Sequence, residues 1–134
     1  MANTTFSGPV RSENGFEQVT KNATTGAFTT SATYDAAITG GVQSLSGAGA
    51  VDLINLITEV TTTGANALTL ADGSTSGQIK IVTMIVDGGD GTLTPTTFAN
   101  GTNITFDAVA ESVTLVWNST IGWVATSVQG ATIA

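Results

Sequence analysis

Reactive side chains are few in this sequence, and nearly all of them are carboxylates. Ten Asp and Glu stand against three Lys and Arg, with no His and no Cys in 134 residues, and the formal net charge is −7. Without imidazole or thiol there can be no Ser-His-Asp triad, no Cys-His pair, no His or Cys ligand for zinc and no disulfide framework. The acid-base chemistry left is that of paired carboxylates, as in glycoside hydrolysis. The acids here are scattered through turn-like segments, which suits solubility better than such a pair, and no enzyme is expected. Asp87-Gly88-Gly89-Asp90-Gly91-Thr92-Leu93 has the composition of an acidic calcium loop. Gly89, however, stands where an EF-hand needs a ligand, and Leu93 where the calcium-binding nonapeptide needs Asp. The segment reads as a tight hairpin turn, and neither metal nor cofactor is expected. Gly47-Ala48-Gly49-Ala50-Val51-Asp52 opens like a dinucleotide fingerprint, but Asp52 replaces the third glycine and no strand-helix-strand context surrounds it. Lys80 is the only cation after residue 21 and falls in the most apolar run, Ile79 to Val86. It is expected to face solvent or to guard a sheet edge.

The elements that would position these residues are short. Phe16–Lys21 and Ala27–Tyr34, joined by Asn22-Ala23-Thr24-Thr25-Gly26, predict a β-hairpin. Residues 35–50 are small and polar and read as loop. Val51–Val60 fits both a helical and a strand face; its β-branched content and the following Thr61-Thr62-Thr63-Gly64 favour strand. Further strands are predicted at Ala67–Leu70, Gln78–Val86, Thr92–Thr94, Ile104–Phe106, Val113–Trp117 and Trp123–Val128, separated by Gly, Asp and Asn. Many short strands with such punctuation predict an all-β fold, an antiparallel β-sandwich of jelly-roll type. No repeat of fixed period is present, so a solenoid is not expected. Thr occurs 26 times, yet Thr-x-Thr spacing is too irregular to predict the flat threonine array of an ice-binding surface. In the last hairpin, pairing of Trp117 with Gly122 would set Trp123 opposite Val116 and put the two indoles on opposite faces. Burial or interface packing is expected of them before sugar binding.

Charge divides the chain. Residues 1–21 balance Arg11 and Lys21 against Glu13 and Glu17, whereas residues 22–134 carry the whole net charge of −7. Residues 1–15 have isolated apolar side chains between turn formers, with Pro9 opposing regular structure and Asn14-Gly15 signalling a turn. This segment reads as an extended arm, and residues 16–134 as the β-sandwich body. Phe6, Pro9, Val10, Arg11 and Phe16 are the candidate contact residues of the arm. Three cations are too few to neutralise a phosphate backbone, so nucleic acid is excluded as a partner. The start of the chain has neither the basic nor the apolar region of a signal peptide, and no run approaches the ~20 apolar residues of a membrane span. A mean hydropathy of +0.28 with only 10% charged residues points instead to surface buried against other chains.

Several stretches carry a resemblance. Thr4-Thr5-Phe6-Ser7-Gly8-Pro9-Val10-Arg11-Ser12-Glu13-Asn14-Gly15-Phe16 resembles the start of structural proteins of tailed phages, marine and cyanobacterial ones in particular. Leu45-Ser46-Gly47-Ala48-Gly49-Ala50-Val51-Asp52 is similar to their central region, as is Thr61-Thr62-Thr63-Gly64-Ala65-Asn66-Ala67-Leu68-Thr69-Leu70-Ala71-Asp72-Gly73. Val113-Thr114-Leu115-Val116-Trp117-Asn118 with Trp123-Val124 looks like their last hairpin. The resemblance implies a virion component without enzymatic activity, commonly trimeric. The expectation is a capsid decoration (cement) protein, made in the host cytoplasm and placed on the outer capsid surface of the virion. Its partners would be the major capsid protein and its own copies in a homotrimer. The alternative is a trimeric fibre, spike or adhesin module that binds host-surface glycan, with Trp123 as a stacking residue.

Overall fold

A computed structural model describes residues 16–34 and 41–134. The chain forms two compact units, Met1–Thr39 and Gly40–Ala134. In the first, β1 (Phe16–Lys21) and β2 (Phe28–Tyr34) pair antiparallel as the sequence predicts. The Asn22 side chain closes their loop by accepting from the Thr24 and Thr25 amides at 2.8 and 3.0 Å, and Gly26 takes a positive φ of 72°.

The second unit is all-β among the described residues, with ten strands in two five-stranded sheets. These are β3 (Val42–Ser46), β4 (Gly49–Val51), β5 (Ile57–Thr61), β6 (Asn66–Leu70), β7 (Ile79–Val86), β8 (Gly91–Pro95), β9 (Ile104–Phe106), β10 (Ser112–Asn118), β11 (Gly122–Gln129) and β12 (Thr132–Ile133). The first sheet has the order β11-β10-β7-β5-β3 and the second the order β12-β9-β8-β6-β4. Both are mixed rather than antiparallel. In each, the three strands earliest in sequence pair parallel and the later ones antiparallel.

Up to β8 the chain changes sheet after every strand, so β3–β4, β5–β6 and β7–β8 are three stacked turns of a parallel coil. This corrects two expectations. Residues 35–50 are not all loop, because β3 and β4 lie within them and build the first turn. A coil is present although no period betrays it: Val42 sits beside Ile57 and Ile57 beside Ile81, spacings of 15 and then 24 residues. Arches of different length connect equivalent strands, which erases the repeat from the sequence while leaving it in space. For the same reason Asp87–Asp90 is not a hairpin turn but an arch from one sheet to the other. There Thr62 Oγ1 accepts from the Gly88 amide at 2.9 Å, and a Cβ on Gly89 would come within 2.7 Å of the Gly64 backbone.

One core fills the space between the sheets. Val60, Val82, Met84, Val113, Leu115, Trp117 and Trp123 enter it from the first sheet, and Val51, Leu68, Leu70, Leu93, Ile104 and Phe106 from the second. Burial alternates along β7 and β10, as period-two strands with one buried face require. The last hairpin pairs Trp117 with Trp123 and Asn118 with Gly122, one position away from the register expected. A slip of one residue reverses the side-chain faces. Both indoles therefore point into the core, 5.4 Å apart and tilted by 59°. The turn sets the register: Asn118 Oδ1 accepts from the Thr120 and Ile121 amides, and Gly122 supplies a φ of 92°.

Candidate docking surface

Of the expected contact residues, Phe6, Pro9, Val10 and Arg11 lie outside the described residues. Phe16 opens β1, and its side chain is likewise not described. Trp123 is 0% exposed, and its indole N–H donates to the Ala71 carbonyl at 2.9 Å. An indole so enclosed offers no face to a sugar ring, so the stacking role considered for it is withdrawn. Of the burial or interface packing expected of the two tryptophans, burial is what the structure shows.

The residues that do reach solvent from the sheets differ sharply between the two faces. On the first sheet, alternation turns Val42, Ile57, Ile79, Ile81, Val116 and Val124 away from the core. Register aligns them in two rows: Val42, Ile57 and Ile81 lie side by side across β3, β5 and β7, and Ile79, Val116 and Val124 across β7, β10 and β11. Val42 and Ile79 are 49% and 47% exposed. Glu59 is the one ionisable side chain that the strands place on this face among the described residues. Scattered exposed aliphatics are ordinary on a monomer, whereas this patch is contiguous and β-branched, a candidate docking surface. Burying one such side chain completely is worth about 1.5–3 kcal/mol.

The second sheet presents Ala50, Thr69 and Thr94 in one row and Ala67, Thr92, Thr105 and Thr132 in another. Five threonines from four strands thus line up in adjacent rows that their sequence spacing did not predict, because neighbours in the rows are up to 27 residues apart in the chain. No strand of this sheet contains an ionisable residue. The outermost strands β3, β4, β11 and β12 lack charge and proline; the edge of β11 is covered instead by residues 97–100, the Trp123 amide donating to the Thr97 carbonyl and the Ala99 amide to the Trp123 carbonyl, both at 2.9 Å.

Lys80 is neither exposed nor at an edge. It lies on the central strand β7, 1% exposed, and its ammonium reaches the arch between β4 and β5. Sequence reasoning missed this placement because the groups that receive the charge, in residues 52–55, come from another turn of the coil.

No protein-family model and no curated protein matches the chain.

Proposed function

We propose that the protein is a structural component of a phage particle, a decoration protein that binds the outside of the head shell as a homotrimer and stabilises it. The observation that carries the reading is the aliphatic outer face of the first sheet, in a chain with few charges. In this reading Val42, Ile57, Ile79, Ile81, Val116 and Val124 pack against symmetry copies of the same chain. A closed ring makes each such interface heterologous, two different patches meeting at every boundary. Residues 1–15, with Phe6, Pro9, Val10 and Arg11, and Phe16 beside them, run along the shell and contact the major capsid protein. Binding the assembled shell and not its unassembled parts stabilises it by mass action. The acidic body keeps decorated particles apart.

The test is the copy number of the chain in purified virions, by quantitative mass spectrometry against the major capsid protein. A simple ratio such as one or one-third supports lattice-wide decoration, and particles offered the chain without residues 1–15 should fail to take it up. A ratio of a few per cent overturns decoration in favour of a fibre or spike, and absence from virions overturns both.

A further inference from the structure

Lys80 poses a problem that packing does not solve. Its neighbours along the inner face of β7 are Val82 and Met84, and an apolar side chain of similar size there would usually be at least as stable as a buried charge. The ion pair that accompanies it is long, 3.5 Å from Nζ to Asp52 Oδ1. The short contact of Nζ, 2.7 Å, is to the neutral carbonyl oxygen of Asn55. The Asn55 side chain is drawn to the same place, its Nδ2 donating to Asp52 Oδ2 at 2.7 Å. One carboxylate therefore touches the lysine amine with one oxygen and a carboxamide with the other.

We propose that this cluster is a self-modification site, at which Lys80 Nζ and Asn55 Cγ join in an intramolecular isopeptide bond with Asp52 as proton carrier. The Asp52 carboxylate takes a proton from the Lys80 ammonium, and the free amine attacks Asn55 Cγ. The carbonyl electron pair moves to Oδ1. The proton held by Asp52 passes to Nδ2, the Cγ–Nδ2 bond breaks, and the nitrogen departs as ammonia. As the pair on Oδ1 returns to re-form the carbonyl, Nζ, positively charged since its attack, gives up its second proton, and the departing ammonia carries that proton and charge away as ammonium. One C–N bond forms and one breaks, nothing is oxidised or reduced, and Asp52 ends as it began.

The surroundings hold the reacting groups in place. Asp52 is fixed by the amides of Ile54 and Asn55 at 3.0 and 2.8 Å, and its own amide donates to Gln43 Oε1 at 2.9 Å. Gln43 is held in turn by Thr58 Oγ1 and the Ala50 carbonyl. Such fixing turns a slow bimolecular amide exchange into a positioned intramolecular one. Gly41 leaves room for the carboxamide, since a Cβ there would collide with Asn55 Oδ1. Burial holds the Lys80 ammonium below the usual lysine range, against the opposing pull of Asp52, which favours release of its proton. Burial pushes the Asp52 carboxyl up, but the bonds from Asn55, the charge of Lys80 and the Ile54 amide together hold it below the usual carboxylate range, so it stands ionised beside the ammonium, and it holds the transferred proton only briefly before passing it to Nδ2. The bond would tie the arch after the first turn of the coil to the strand that starts the third. It does not depend on the proposed function.

The experiment is the intact mass of the denatured full-length chain, followed by trypsin under denaturing conditions. Lys80 is the only trypsin site after Lys21. The expected wild-type mass is lower than the sequence mass by one ammonia, with residues 22–134 released as a single peptide, uncut at Lys80, whose fragmentation places an internal link between Lys80 and Asn55. Asp52→Ala and Asn55→Ala should each restore the full mass and the cut, while Glu59→Gln, outside the cluster, should keep the bond. A wild-type chain of full mass that is cut at Lys80 overturns the proposal, whether or not the variants fold. Loss of one water with a Lys80–Asp52 link overturns the assignment to Asn55.

Discussion

Trp123 joins parts of the fold that lie far apart in the chain: its ring packs on Trp117 within the core, and its N–H satisfies the carbonyl of Ala71, in the connection that leaves the second sheet. Trp123→Phe removes ring volume and leaves that carbonyl without its donor. The expected cost is about 2–4 kcal/mol, read as a lower urea midpoint at unchanged m-value. A loss under about 1 kcal/mol would mean that water replaces the indole at Ala71. That the tryptophans serve packing and not sugar binding was legible from the size and apolar character of the indole. That they share a face was not, because the register depends on Asn118 closing a three-residue loop, and Asn-Ser-Thr permits more than one turn. Lys80 was misplaced for a related reason: inside or outside is decided by partners in another turn of the coil, invisible to any local pattern.

Strands could be located from β-branched runs between Gly, Asp and Asn, and Ile104–Phe106 was placed to the residue. Their connections could not. A hairpin and an arch begin with the same turn-forming residues, and the choice rests on which strand stacks on which. Arches of unequal length then concealed the coil. The close packing of the connections is testable at two glycines with almost the same φ, Gly122 at 92° and Gly77 at 93°. A Cβ on Gly122 would come within 2.6 Å of the Thr97 carbonyl oxygen, whereas at Gly77 nothing lies within 4 Å. Gly77→Ala should cost about 1 kcal/mol, the price of the left-handed backbone alone. Gly122→Ala should cost at least about 1 kcal/mol more, from the added clash. Equal urea midpoints for the two variants would show that the segment around Thr97 yields freely and that the connections are not tightly packed.

At the scale of the molecule, the two sheets share one core but face outward with different chemistry. Threonine hydroxyls on the second sheet keep their hydrogen bonds with water and gain little from being covered. Aliphatic side chains on the first sheet gain from every square ångström removed from water, and the patch is interrupted by a single carboxylate, Glu59. The first sheet is therefore the face on which association should depend. Val42→Lys combined with Ile79→Lys places two charges on that face without touching the core, since both side chains are about half exposed. The far-UV spectrum should be unchanged and the stability of the chain altered by no more than about 0.5 kcal/mol for each site. In light scattering coupled to size exclusion, the double variant should run as a monomer where the parent chain runs as an oligomer. The two ammonium groups would have to lose water to re-form the contact. An oligomer that survives both substitutions would move the interface to the threonine face or to the strand edges, and the same substitutions made at Thr69 and Thr94 would then separate those two.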